Sequence, residues 1–178
     1  QKMNGQYDVK FPQARALYMY MYAHPGKKLN FMGNEIGQLR EWDESREQDW
    51  GILEYPVHDT FARFMRDLHL VYEAHPAFWE KDYTEDGFQW IDCHQEEKRI
   101  YVMQRNSKKQ KVIAMFNFSE SAQNYDLRLE GAKYLKLLLA SDNEIYNGTE
   151  SYKHNEKFRL EDGVVNIELT PFTGMYFE

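Results

Sequence analysis

Two hydrophobic periods divide the chain. From Pro12 to Ala23, "PQARALYMYMYA", the apolar positions Ala14, Leu17, Tyr18, Met21 and Tyr22 follow the i, i+3, i+4 spacing of a helix with one buried face. Pro12 suits a first helical turn. "HPGK" then stops the helix, because a residue before proline avoids the helical region and Gly26 frees the turn. "KKLNFMG" reads as a short strand, Lys28 to Met32, closed by Gly33. A second helix is predicted over "PVHDTFARFMRDLHLVYEAHP", where Phe61, Phe64, Met65, Leu68, Val71 and Tyr72 make one apolar stripe. Asp59 is its candidate N-cap, and Pro76 ends it near His75. After Phe78 the pattern changes. "GFQWIDC", "RIYVMQR", "KVIAMFNF", "QNYDLRL", "AKYLKLLLA", "GVVNIEL" and "TGMYF" are short runs of strand-forming residues separated by polar turns. Runs of this kind predict an all-β sandwich.

The pattern therefore predicts two parts. Residues 1–80 hold a helix, a turn, a strand, a loop and a helix, the order of an α/β unit with a parallel strand. Residues 83–178 hold the sandwich. Between the predicted strand and the second helix lies "NEIGQLREWDESREQDWGILEY", too long for an ordinary connection. It follows a strand end, where α/β folds place their sites. Its acids are Glu35, Glu41, Asp43, Glu44, Glu47 and Asp49. Paired carboxylates about 5–9.5 Å apart would suit glycosidic chemistry, whereas isolated ones cap turns. Trp42, set among charged residues, is the candidate for stacking on a ring. Trp50 and Tyr55, beside Ile52 and Leu53, are expected to pin the loop to the protein body.

Composition narrows the classes. Aromatic residues make up 16% of the 178 residues, which indicates a folded chain. A formal charge of -7 disfavours nucleic acid as a partner. No apolar run approaches the roughly 20 residues needed to span a bilayer, so no membrane is expected. The single cysteine, Cys93, excludes an internal disulfide and fits a reducing, cytoplasmic compartment; it reads as a packing residue. The N-terminus has no apolar signal core, and the missing start methionine suggests a piece of something longer. The histidines form no metal-binding spacing, and neither a phosphate-binding glycine loop nor a nucleophile elbow occurs, so no metal and no cofactor are expected. "NSKKQK" is a solvated hairpin turn, and the triplets at Asn117 and Asn147 read as chance matches to the glycosylation signal.

From "FMGNEIGQ" through "REW" to "DWGILEYPVH" the sequence closely resembles the 1,4-α-glucan branching enzymes of the α-amylase superfamily. The resemblance continues through "GFQWIDC" and "VIAMFNFS" and covers essentially the whole chain. It implies that residues 1–80 are the end of a (β/α)8 barrel and residues 83–178 the C-terminal β-sandwich. It also implies that the carboxylates of a retaining mechanism lie upstream of these residues, so no catalytic residue is expected here and the isolated chain should be inactive. Asn34, Glu35, Arg40, Glu41, Trp42 and Asp43 match the family's loop after the eighth barrel strand. The resemblance makes them substrate-binding candidates toward an α-glucan: Trp42 for stacking, Arg40 or Asp43 for hydroxyl contacts. A barrel remnant would expose apolar faces, which could meet the sandwich or a second copy. Two other readings stand beside this one. One is a carbohydrate-binding module using Trp90, Tyr101, Tyr146 or Tyr152; the other is an interaction piece using the stripe from Phe61 to Tyr72.

Overall fold

A computed structural model describes residues 3–178. Helix α1 spans Tyr7–Ala23 and helix α2 spans Pro56–Ala74. Eight strands follow: β1 Phe88–Gln95, β2 Ile100–Asn106, β3 Lys111–Asn117, β4 Gln123–Arg128, β5 Tyr134–Ala140, β6 Lys157–Arg159, β7 Val164–Leu169 and β8 Thr173–Phe177. They form a six-stranded sheet, ordered β1-β2-β3-β8-β5-β6, and a two-stranded sheet, β4-β7. Every strand pairing is antiparallel.

Three layers result: helices, large sheet, small sheet. The large sheet is apolar on both faces, which explains why "KVIAMFN" reads as an unbroken hydrophobic run. Val112, Ala114 and Phe116 face the helices, while Ile113 and Met115 face β4 and β7. β5 changes side partway. Its register with β8 slips between Leu137 and Leu139, so Leu137 joins the inter-sheet core and Leu139 joins the helix-side core. Without that bulge, residues two apart would face the same way.

The helix-side core gathers Phe11, Met19 and Tyr22 of α1, Phe61, Phe64, Met65 and Leu68 of α2, and Met103, Phe116 and Tyr176 of the sheet. The stripe on α2 is therefore covered by the sheet and by α1. It is not a free interaction surface, and that reading is corrected. Two buried arginines reinforce the joint. Arg105, fully buried, donates to the carbonyls of Ala23 (2.7 Å) and Gly87 (3.2 Å) and pairs with Asp82. Arg15 donates to the Tyr146 carbonyl at 3.0 Å, and the Tyr146 hydroxyl donates to Asp67 on α2 at 2.9 Å.

Several details differ from the sequence reading. α1 starts at Tyr7, so Pro12 lies inside the helix. Its buried face carries Phe11, Arg15, Ala16, Met19, Tyr22 and Ala23, while Leu17 is exposed. The helix is apolar nearly all round and has a charge on its buried side, so spacing alone misplaced the face. Pro56 opens α2 and Tyr55 occupies the cap position, which leaves Asp59 in the first turn. Residues 28–32 form no strand: they pair with no neighbour, and Leu29, Phe31 and Met32 are exposed. β6 was not anticipated.

Candidate functional site

The loop after residue 32 is built from two left-handed glycines and one buried amide. Gly33 (φ 81°) and Gly37 (φ 64°) flank a single 3-10 turn, Asn34–Ile36. Each would bring a Cβ against a neighbour, Gln38 and Gln48 at Gly33 and Phe11 at Gly37, so only glycine fits both conformation and space. Gln38 is buried and braces the two arms of the loop. Its Oε1 accepts from the Asp49 amide at 3.0 Å and its Nε2 donates to the Arg40 carbonyl at 3.2 Å.

His58 fixes this loop to both helices. One ring nitrogen, Nδ1, lies 2.8 Å from the Ile36 carbonyl, which can only accept, so Nδ1 carries the proton. In the neutral ring, Nε2 then accepts from the Tyr7 hydroxyl at 2.7 Å. Phe11 meets the ring edge-on at 5.0 Å. Neither Gln38 nor His58 was singled out by sequence. Their role depends on burial, and nothing in the spacing of a lone glutamine or histidine reveals it.

Beyond the brace, Arg40 grips Asp49 with two parallel bonds of 3.1 and 2.9 Å and also donates to the Glu47 carbonyl at 2.9 Å. The hydrogen bond to Asp49 raises the guanidinium pKa, and the same bond lowers that of Asp49. Asp43 accepts from the hydroxyl of Ser45 at 2.7 Å and from its amide at 3.0 Å, and these bonds hold its pKa below the usual carboxylate value. A general acid needs the opposite shift. Asp43 and Asp49 are thus standing acceptors for hydroxyl protons, not proton donors.

Four of the predicted residues come together. Arg40, Glu41, Trp42 and Asp43 line one shallow depression of about 510 Å³, along with Glu44 and Arg46. Trp42 is 45% exposed and stands perpendicular to Phe31, ring centres 5.5 Å apart. Asn34 lines a different cavity, of about 340 Å³, with Tyr7, Phe11, Tyr18, Gln38 and Leu39. Glu35 is half-buried; its charge, together with burial as the larger cause, pushes the Tyr18 hydroxyl up to about 12. Trp50 and Tyr55 are exposed, contrary to the expectation that they anchor the loop; Ile36, Gln38 and His58 do so. Among the sandwich aromatics, Tyr146 is 4% exposed and offers no binding face, while Trp90 packs against Phe88 and Tyr101. Among the described residues no cluster of side chains could hold a metal ion, and no helix is long and apolar enough to cross a membrane.

Among known proteins, residues 90–178 match the family described as alpha amylase, C-terminal all-beta domain. The 1,4-alpha-glucan branching enzyme GlgB of Aquifex aeolicus is 37% identical over 99% of this chain, and that of Rhizobium meliloti 36% over 99%. The chain spans 30% and 25% of those relatives' lengths and matches their C-terminal region. A crystal structure of AmyP in complex with maltose superposes with a TM-score of 0.70 at 14% identity, covering 95% of this chain and 35% of that one. An Anoxybacillus alpha-amylase structure gives 0.62 at 16% identity, over 93% and 32%. At such identities these two likenesses speak for the fold alone.

Proposed function

Because the chain belongs to the alpha amylase C-terminal all-beta domain family, we propose that it serves as the C-terminal part of a cytoplasmic 1,4-α-glucan branching enzyme. Residues 1–80 would complete the (β/α)8 barrel and residues 83–178 would form the sandwich that shields it. The observation that carries this reading is a 37% identity to a branching enzyme running along 99% of the chain, helices and loop included. Here the chain supplies no catalytic carboxylate. The lowered pKa values of Asp43 and Asp49 support binding in place of proton transfer.

In this reading the depression around Trp42 is part of the active-site rim. The indole stacks on a glucose ring, Asp43 and Glu41 accept from hydroxyls, and Arg40, rigid in its grip on Asp49, donates. Asn34 and Glu35 lie deeper, on the side toward Tyr18. The exposed Leu17, Leu29, Phe31, Met32, Leu39, Trp50 and Tyr55 form the face on which the rest of the longer enzyme sits. In its absence, a second copy would take that place.

The test is expression of the gene with all in-frame upstream sequence, followed by incubation with amylose. Branching is read as loss of iodine colour together with new α-1,6 anomeric proton signals. The longer protein should branch amylose, and Trp42→Ala should lower kcat/KM about tenfold or more, in line with the loss of one stacked ring. A longer protein without branching activity overturns the reading.

A further inference from the structure

We propose that the groove between α1 and the turns carrying Arg99 and Phe172 is a second binding site for a neutral α-glucan segment, sharing no residue with the Trp42 depression. The choice of glucan rests on the function proposed above. The groove itself rests on geometry. It measures about 590 Å³, within the usual range for ligand sites. Val9, Pro12 and Gln13 of α1 form one wall. Arg99, Phe118, Glu120 and Phe172 form the other, with Asp142 and Thr149 at one edge.

The backbone marks this wall as unusual. Arg99 (φ 53°) and Phe172 (φ 49°) both occupy the left-handed region, where a side chain is unfavourable and glycine or asparagine is the common choice. Two backbone bonds hold these turns together: the Phe118 amide donates to the Arg99 carbonyl at 3.0 Å, and the Phe172 amide donates to the Ser119 carbonyl at 3.1 Å. A large ring at a glycine-type position needs a reason, and core packing is not it, because Phe172 belongs to neither apolar cluster. Strain of this sort gathers at ligand sites.

The lining chemistry selects the ligand. Phe118 and Phe172 offer apolar surface to the C–H faces of a sugar ring. The Arg99 and Glu120 side chains have no hydrogen-bond or ion-pair partner among the described residues, so a guanidinium donor and a carboxylate acceptor are both available to hydroxyls. Asp142 is committed: it accepts from the Thr149 hydroxyl at 2.6 Å and lies 3.8 Å from Arg15, which fixes Thr149 at the groove edge. Arg15 offsets Asp142 and Arg99 offsets Glu120 in charge, so the groove has no net positive charge to draw phosphate-bearing ligands. Neutral, hydroxyl-rich chains fit.

The probe is maltoheptaose, titrated by isothermal calorimetry into the 178-residue chain and into its Trp42→Ala variant, which separates the two sites. Saturable millimolar or tighter binding should persist in Trp42→Ala. Phe172→Gly then removes a ring at a position where glycine relieves the backbone, so stability should hold or rise while affinity falls about tenfold. Arg99→Gly, at the other left-handed position, should weaken binding about threefold without loss of fold. Binding that is unchanged in both glycine variants overturns the proposal, as does binding abolished by Trp42→Ala alone. If the chain binds no maltoheptaose while the longer protein still branches amylose, the second site fails and the enzymatic reading stands.

Discussion

Arg105→Met tests whether the helices and the sandwich are locked by buried polarity as well as by apolar contact. The guanidinium is fully buried and reaches three acceptors from different segments: the end of α1 through Ala23, the turn before β1 through Gly87, and Asp82. Methionine keeps most of the volume but leaves two carbonyls and a carboxylate, itself only 8% exposed, without their donor. Removing one member of a buried ion pair costs about 3–5 kcal/mol. For a chain of this size that lowers Tm by roughly 6–20 °C, or shifts a urea midpoint by about 2 M when m is about 2 kcal/mol/M. The double variant Asp82→Asn/Arg105→Met should recover part of the loss, because the stranded charge is gone. The assay is urea unfolding followed by tryptophan fluorescence for the parent, both single variants and the double. A loss for Arg105→Met of less than about 1 kcal/mol, near the value of an exposed pair, would refute the reasoning.

Three further outcomes follow from local geometry. Gly148→Ala places a Cβ about 2.0 Å from the Asp142 carbonyl oxygen, a backbone atom that cannot swing aside, so thermal unfolding should fall clearly below the parent. His58→Phe keeps an aromatic ring but strands the Ile36 carbonyl and the Tyr7 hydroxyl; it should cost about 1–3 kcal/mol and speed amide exchange at Gly37 and Gln38. Hydrogen bonds from Gln110 and Lys136 hold Glu178 below its ordinary pKa, so its contribution is present above about pH 4.3 and is lost as pH falls through the lowered value. Glu178→Gln should therefore flatten the acid limb of a Tm-against-pH curve and leave the shape above pH ~6 unaltered.

The parts of the fold written in local pattern were legible. The α2 stripe follows from its period and seven of the eight strands from strand-forming runs between polar turns, and the two-faced burial of β3 explains why its run lacks alternation. What failed was non-local. "KKLNFMG" has strand-forming character, but a strand exists only against a partner, and none lies beside residues 28–32. β6, three residues long, is too short to show a period and exists because β5 pairs with it. Nothing in the local pattern marks Arg15 and Arg105 as buried; the tertiary fold buries them. In the loop, the sequence pointed to Arg40, Glu41, Trp42 and Asp43, which do share one depression. It could not separate them from Asn34, which lines another cavity, nor reveal that Gln38 and His58 hold the loop in shape.

Strand order has a consequence for biosynthesis. β8, the last of the eight strands to be made, lies between β3 and β5 at the middle of the large sheet. Its Tyr176 hydroxyl bonds to the Met19 carbonyl on α1, and its Met175 and Phe177 enter the inter-sheet core. A nascent chain paused anywhere before Thr173 holds two half-sheets with open edges and an uncovered helical layer. Contacts this distant in sequence close slowly, and the unclosed halves invite pairing with neighbouring chains. Ribosome stalling or a premature stop before Thr173 would thus release a protein without its central strand, a substrate for chaperones and proteases.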